Sequence, residues 1–504
     1  MAATISRCMV FATLGQNKQF LVRPSQLRSS RSLRSLRRVV QHAHVEDVPP
    51  PSPIPEKTLA KKVTKSCAAT KTEKIKFHTN EDNKYERLAY TLTPLWKHPY
   101  ALQLHLKFKD LSFTMRKLGK LMKAAKIGFP EDPHGLPCPL RPVLPSPITE
   151  AYRNKDEFSV RQGPSGEPKT VGFIIGSPAD GEKVVCVSPE HLIICKASHK
   201  RVAKAFQDYI QRSPLPGCYE TGFNGYWKNI VVRSNRNGDI MAIIIMHPQQ
   251  LSEGELEEEK GKLKDFFVHG SGKECQIKSL YFQACPHTRC SHEQAPFQLL
   301  HGEPFIVEDI AGIKFRISPE SFFQVNAEVA TYLYDTVHQM LNCTPDTTLL
   351  DICCGTGTIS LTQAKHLHST FGIDASAQAV QDATFTAQLN GITNAKFAAG
   401  RAEVLIPSVR NEFFCEDICA VMNPGRGGLP VKAIRALREY HQIKRLIYIS
   451  CKPDGAALDN FIELCKISPK SREIGPPFRP LVACPVDMFP HTRHTELVML
   501  FGRS

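Results

Sequence analysis

Several stretches of this chain hold residue types suited to covalent and acid–base chemistry. Ile447-Tyr448-Ile449-Ser450-Cys451-Lys452-Pro453 ends an apolar run on a cysteine beside a lysine. A lone cysteine at a strand end is most often buried filler, but a neighbouring cation favours the thiolate, the form that attacks. Asp487-Met488-Phe489-Pro490-His491-Thr492-Arg493-His494-Thr495-Glu496 concentrates His, Arg and Glu just before the apolar run Leu497 to Phe501, and Glu496 is a candidate base. Val421-Met422-Asn423-Pro424-Gly425-Arg426 presents a polar side chain followed by proline, a rigid mount against a flat substrate edge.

Other residues suit a bound cofactor. Leu349-Leu350-Asp351-Ile352-Cys353-Cys354-Gly355-Thr356-Gly357 ends a strand-like run in two glycines, which let the backbone turn tightly and approach a ligand. A dinucleotide site wants a third small residue where Ser360 stands, so this loop alone selects no cofactor. Phe371-Gly372-Ile373-Asp374 puts an acid at the next strand end, where a carboxylate accepts hydrogen bonds from a ribose diol. Nicotinamide and adenosylmethionine cofactors both satisfy that pattern; a helix-capping role before Ser376 is the plain alternative.

The elements that must carry these residues follow from periodicity. After about residue 304, short apolar runs (Leu349–Ile352, Thr370–Ile373, Ile418–Met422, Arg445–Ile449) alternate with helix-length segments, the pattern of a parallel, doubly wound α/β sheet. Such sheets bind ligands at the carboxyl ends of their strands, where the residues above lie. Residues 146–303 read as a mixed α/β region. Its strands are 171–175, 183–187, 229–233 and 240–246, the last two joined through Asn237-Gly238, and its helices are 201–211 and 255–267. Glu255, Glu257, Glu258 and Glu259 read as a solvated helix face.

Residues 91–145 form a helical basic extension. Leu111, Met115, Leu118 and Met122 make one apolar stripe, with Arg116, Lys117, Lys120, Lys123 and Lys126 largely off it. That basic face suits a phosphate backbone or simply solvent. Residues 46–90 hold Pro49, Pro50, Pro51, Pro53 and Pro55, then polar sequence, and read as a disordered linker with order beginning near Thr91.

Composition narrows the class. The 504 residues are 42% hydrophobic and 22% charged with net charge +15, values of a globular chain too long for one core. No run approaches the roughly 18 apolar residues of a membrane span. Residues 1–45 carry Arg7, Lys18, Arg23, Arg28, Arg31, Arg34, Arg37 and Arg38 with no acid before Glu46, the composition of a mitochondrial transit peptide. A basic arm that touches nucleic acid directly is the alternative. The 17 cysteines include no Cys-x-x-Cys, so they read as reduced and mostly buried; the nearest cluster, Cys285, His287, Cys290 and His292, is too crowded for a zinc finger.

Taken in order, Phe322-Phe323-Gln324-Val325-Asn326, Asp-x-Cys-Cys-Gly-Thr-Gly-Thr from Asp351, Asn-Pro-Gly-Arg from Asn423, Ser-Cys-Lys-Pro from Ser450 and Phe-Pro-His-Thr-Arg-His-Thr-Glu from Phe489 resemble the RNA uracil-5-methyltransferases. Tyr152-Arg153-Asn154-Lys155 is similar to that family's substrate-binding region, and the presequence points to its animal mitochondrial branch. The resemblance spans roughly residues 90–504. It implies a C-terminal Rossmann-like methyltransferase sheet over 304–504 and a central RNA-binding domain over 146–303.

The resemblance also implies roles. Cys451 would add to C6 of uracil, C5 would take the methyl group of S-adenosylmethionine, and Glu496 would remove the C5 proton. Gln324, Asp351, Cys353, Gly355, Gly357, Asp374 and Asn423 would hold the cofactor. Asn326, Arg426, Arg153 and Lys155 would hold RNA, with the target base flipped out or single-stranded. The partner would be the tRNA T-arm or mitochondrial small-subunit rRNA, in the mitochondrial matrix, with no metal and no iron–sulfur cluster. The family usually has Asp-Pro-Pro-Arg and Ser-Cys-Asn-Pro where this chain has Asn423-Pro424-Gly425-Arg426 and Ser450-Cys451-Lys452-Pro453. Asn423 accepts a hydrogen bond from uracil N3–H but brings no charge. These departures motivate the competing expectation of a weak or inactive methyltransferase kept as an RNA-binding or assembly factor. A cytosine-5-methyltransferase is disfavoured because Gly425 stands where its cysteine would, and a nicotinamide dehydrogenase leaves Cys451 and Glu496 unexplained.

Overall fold

The computed structural model describes residues 79–503, apart from 131–133, 219–223, 411–416 and 468–474. The transit segment and the proline-rich linker lie outside the described residues. The linker's last part differs from expectation: Lys84–Leu92 is a helix. Leu88 is buried against the central domain, and Arg87 makes a two-pronged ion pair with Glu182 at 2.9 Å. Those partners lie about a hundred positions away, so the segment looked merely polar.

The central domain is a sheet of β1 (Lys155–Arg161), β2 (Thr170–Ile175), β3 (Val185–Val187), β4 (Trp227–Ser234), β5 (Ile240–Met246), β6 (Ile277–Ala284) and β7 (Gln298–Gly302), in the order β3-β2-β1-β4-β5-β6-β7. β4 and β5 form the expected hairpin, with Gly238 at φ 88 supplying the left-handed turn residue. β5 and β6 are parallel, so the chain must cross over between them, and the helix Glu253–Val268 makes that crossing. Ser252 and Glu255 close a capping box at its start. Glu255, Glu257 and Glu258 face solvent, but Glu259 is buried and takes the Tyr209 hydroxyl at 2.6 Å. β1 is absent from the sequence reading because alternate burial makes it look charged: Asp156, Phe158 and Val160 point inward.

One sequence expectation is overturned here. Cys285 and Cys290 are joined in a disulfide rather than reduced, and Lys228 caps the loop between them through the carbonyls of Cys285 and His287. Their five-residue separation closes a tight loop, which no spacing rule singled out.

After the hairpin β8 (Ile306–Ile310) and β9 (Ile313–Ile317) comes the second sheet. Its strands are β10 (Thr348–Ile352), β11 (Ser369–Asp374), β12 (Ala395–Ala399), β13 (Ile418–Met422), β14 (Ile443–Ser450), β15 (Arg479–Val486) and β16 (Glu496–Gly502). The order is β12-β11-β10-β13-β14-β16-β15, with β10 to β14 parallel. β10, β13 and most of β14 are buried on both faces, which is why they read as continuous apolar runs. The chain winds outward from β10 to β12 and returns to β13 on the other side of β10. That reversal opens a crevice at the carboxyl ends. β16 runs antiparallel between β14 and β15, so its first residue lies at the same end of the sheet as the last residue of β14.

The helix Tyr100–Ala124 is no separate appendage. Met115, Leu118 and Met122 enter the core of the second sheet beside Phe461 and Leu464. Its first turns grip the loop before β16. Lys107 Nζ meets Asp487 Oδ1 at 2.5 Å and the Phe489 carbonyl at 2.9 Å, and the Tyr100 hydroxyl donates to Asp487 Oδ2 at 2.9 Å. Both charged side chains are fully buried. Breaking such a pair strands one charge in the interior, at a cost of about 3–5 kcal/mol. Lys107→Ala is therefore expected to lower the unfolding free energy by about 3 kcal/mol or more in urea titration; a loss under about 1 kcal/mol would show the pair to be dispensable.

Candidate active site

A cleft of about 730 Å³ opens between the two sheets. The central domain contributes Tyr152, Arg153, Phe173, Leu192 and Ile194 to its wall. The second sheet contributes its strand ends: Cys353 to Thr356 after β10, Asp374 after β11, Asn423 to Arg426 after β13, Cys451 after β14 and Glu496 at the start of β16. Gln324 joins from the segment before the helix Ala327–Leu341.

The glycine loop is held by main-chain geometry. Cys353, Gly355 and Gly357 all have φ between 54 and 74, a left-handed series that costs a non-glycine residue and so marks Cys353 as strained. Asp374 stabilises the turn: Oδ2 accepts from the Gly355 N–H at 2.9 Å and Oδ1 from the Ser376 N–H at 2.8 Å. Ser376, not Asp374, caps the following helix, through Ala379 N–H. Each carboxylate oxygen keeps a lone pair for a ligand. Thr356 borders the cleft with a buried hydroxyl that has no hydrogen-bond partner among the described residues. A buried orphan of this kind is met by a polar ligand or water.

Cys451 and Glu496 are brought together by strand pairing. Ser450 stands directly opposite Leu497 across the antiparallel β14–β16 pair, so the next residue of one strand faces the preceding residue of the other. Glu496 is buried, and burial alone pushes its carboxyl up to about 8. Burial and the Glu496 charge push the Cys451 thiol up, while a hydrogen bond with Arg426 works the other way. The sequence had pointed to Lys452 as the cation serving Cys451. The guanidinium that acts on the sulfur is instead that of Arg426, four residues past the end of a different strand, and Lys452 is exposed. His494 also lines the cleft, and burial and then Arg426 lower its imidazole's affinity for a second proton.

Of the residues expected here, Cys451, Glu496, Gln324, Cys353, Gly355, Asp374, Asn423, Arg426 and Arg153 all border the cleft. The others lie elsewhere. Asp351 is buried behind the loop, taking the Ser360 N–H and hydroxyl at 3.1 and 2.8 Å, with burial raising it to about 6. Gly357 is the left-handed cap of the helix Thr358–Ala364, where a Cβ would come within 2.8 Å of the Phe397 ring. Asn326 caps the helix Ala327–Leu341 and donates to Ser146 Oγ at 3.1 Å. Lys155 sits in a separate surface pocket with Glu157, Asn229 and Arg289, its amine lowered to about 8 by burial and by Arg233.

Arg153 is committed to neighbours: Nε donates to Asp156 at 2.6 Å, and Asp156 in turn meets His199 at 2.7 Å. The sequence reading assigned no role to Phe173, Phe322 or His494. Phe322 and His494 lay within quoted motifs; Phe173 lay in a strand with nothing to mark it.

The direction of the Glu496 shift fixes a stability test. A carboxyl whose folded value is raised from about 4.5 to about 8 favours the folded state below pH 4.5, and that contribution is lost as pH rises through 8. Glu496→Gln removes the titration. It should therefore gain stability over wild type progressively from pH 5 to pH 8.5, by roughly 4 kcal/mol at most; a pH-independent difference in melting curves would show Glu496 to be ionised in the folded protein.

Comparison with known proteins agrees with this geometry. Residues 303–503 match the family model described as tRNA (Uracil-5-)-methyltransferase. The chain is 44% identical over 447 residues to the tRNA (uracil-5-)-methyltransferase homolog B of Danio rerio, covering 88% of this chain and 92% of that one. The homolog B of Homo sapiens is also 44% identical, over 425 residues, with 83% and 84% covered. The fold is shared with the Pyrococcus abyssi tRNA (uracil-54, C5)-methyltransferase, solved in complex with S-adenosyl-L-homocysteine: TM-score 0.57 at 18% identity, covering 81% of this chain and 84% of that one. With a doubly wound sheet, its strand-end cleft and relatives this similar over nearly their whole length, the chain belongs to the tRNA (uracil-5-)-methyltransferase family.

Proposed function

We propose that this chain is a mitochondrial enzyme that methylates C5 of a uridine in the T-arm of tRNA, with small-subunit rRNA as a second substrate class, through a covalent bond from Cys451 to C6. The observation that carries the reading is the pairing of Cys451 with Glu496 across β14 and β16, at a cleft that also holds Asp374 and the glycine loop. When bound, S-adenosylmethionine would supply a sulfonium methyl group, with S-adenosylhomocysteine as the leaving group. The residues fit that cofactor: Asp374 offers lone pairs to a ribose, the left-handed loop exposes its backbone, and the unpartnered Thr356 hydroxyl and Gln324 offer polar contacts.

The chain's own groups do the rest. Cys451 sulfur adds to C6, and the C5–C6 π electrons move toward C5 and O4. Arg426 favours the thiolate that this step needs. Once C5 carries the methyl group, Glu496 takes the C5 proton in its carboxylate form, whose share rises as pH approaches 8, the C5–C6 double bond re-forms and the Cys451–C6 bond breaks. Asn423 holds the base edge, its amide oxygen accepting from uracil N3–H. The aromatic residues Phe173, Phe322 and Phe489 give the cleft an apolar wall suited to a base taken out of its stack. Support for the compartment is the Arg-rich, acid-free composition of residues 1–45.

Two experiments test this reading. RNA carrying 5-fluorouridine at the target position offers no proton for Glu496, so the adduct should persist as a gel-stable complex with the wild type and vanish in Cys451→Ala. A complex that survives Cys451→Ala rejects the nucleophile. Nucleoside mass spectrometry of mitochondrial tRNA and rRNA, from cells lacking the protein and complemented with wild type or Cys451→Ala, should show 5-methyluridine lost and restored only by the wild type. Unchanged 5-methyluridine in both pools would favour the RNA-binding factor instead, with Asn423 as the residue that departs from the family pattern.

A further inference from the structure

We propose that the outer face of the helix Tyr100–Ala124 is a track for the sugar–phosphate backbone of RNA, leading from the mouth of the cleft. The inference rests on the uridine-methylation reading for the identity of the RNA. It stands on the placement of side chains around one helix. While Leu111, Met115, Leu118 and Met122 are buried in the core, Lys109, Phe113, Arg116, Lys120 and Lys123 recur at intervals of four and three and are all exposed, with Lys117 alongside. That spacing lines them up along one face, away from the core. From Lys109 to Lys123 the line runs about 21 Å at 1.5 Å per residue.

The arrangement is poor for the helix by itself. Arg116 and Lys120, Lys117 and Lys120, and Lys120 and Lys123 are like-charged at i,i+3 or i,i+4, with no acid at those spacings to relieve them. Such pairs destabilise a helix by as much as opposite pairs stabilise it. A merely solvated face interleaves signs. The helix's sole acid, Asp110, is engaged by Arg493 at 3.1 Å. Arg493 lies one residue before His494, which lines the cleft. The cationic line thus starts at the loop that carries the active-site residues.

Within it stands Phe113, 69% exposed, the most exposed large hydrophobic side chain among the described residues. Cations along a line relieve their mutual repulsion on a polyanion, an arginine fork matches phosphate, and an exposed aromatic face stacks on a base. An anionic membrane surface offers the charge as well. RNA is favoured because the line starts beside the loop whose His494 lines the cleft in which an RNA base must sit.

The test measures RNA binding directly, apart from methylation. Anisotropy of a labelled unmodified tRNA transcript is titrated with the full chain across a potassium chloride series. The comparison is with the triple variant Arg116→Gln, Lys117→Gln, Lys120→Gln and, separately, Phe113→Ser. The triple variant should bind about ten-fold or more weakly, with the slope of log affinity against log salt reduced by about 2–3. Its thermal midpoint should equal or exceed the wild type's, because repulsion has been removed. KM for tRNA should rise in step while kcat and the affinity for S-adenosylmethionine stay unchanged. Unaltered tRNA affinity and salt slope in the triple variant would overturn the proposal. So would unaltered tRNA affinity together with lost binding to phosphatidylserine-containing vesicles, which would assign the face to a membrane. Weakened tRNA binding by the triple variant, alongside a wild type that methylates no RNA, would uphold the track and remove the methylation reading.

Discussion

A buried ion pair between Lys107 and Asp487 joins the first and last parts of the fold, and the active site depends on it. Burying two charges is expensive, and attraction alone often fails to offset the lost hydration. Here the carboxylate is fully served: Lys107, the Tyr100 hydroxyl and the Phe489 N–H all donate to it. The same helix uses Gln103 to take the His491 N–H at 2.8 Å and to approach His491 Nδ1 at 3.0 Å. Tyr152 of the central domain donates to the Pro490 carbonyl at 3.1 Å. Residues 487–491 are thereby fixed from two sides, and Glu496 follows at the first position of β16. The helix Tyr100–Ala124, which precedes both sheets in the chain, is part of the scaffold that positions Glu496.

Two of the nine left-handed non-glycine residues among the described ones lie in loops that feed the cleft. His491 has φ 67 and Cys353 φ 60, left-handed conformations for side-chain-bearing residues, and each lies in a loop that feeds the cleft. His491 is held there by backbone bonds at both its N–H and its carbonyl, the latter accepting from Leu95 at 2.9 Å. Cys353 is held by the turn that Asp374 clamps. Such conformations persist when the surroundings over-determine them, and here hydrogen bonds from separate elements do so.

The electrostatics of the cleft follow from burial more than from pairing. Glu496, Asp351 and the Cys451 thiol are all pushed toward their neutral forms, and the counterweight at the sulfur is the single guanidinium of Arg426.

Much of the second sheet was legible in the sequence. Buried parallel strands must be continuous apolar runs, so Leu349–Ile352, Ile418–Met422 and their neighbours were found nearly to the residue, and the cleft opens at the carboxyl ends to which the sequence pointed. The apolar stripe of the helix Tyr100–Ala124 was equally plain, since a 3.6-residue period needs only local information. Strands β1, β6, β7, β8, β9, β12 and β15 were missed: β1 and β8 alternate in burial and β7, β12 and β15 lie at sheet edges, which leaves weak patterns, while β6 mixes Lys278, Ser279 and Gln283 into its apolar run. Residue types and order along the chain were enough to nominate Cys451, Glu496 and Asp374. Only tertiary structure decided that Glu496 faces Cys451, that Arg426 rather than Lys452 serves the sulfur, and that Asp351 and Asn326 support the site from behind. Those outcomes depend on antiparallel register, on loop paths and on which strand ends converge, and contacts between residues tens to hundreds of positions apart leave no local period for a sequence to display.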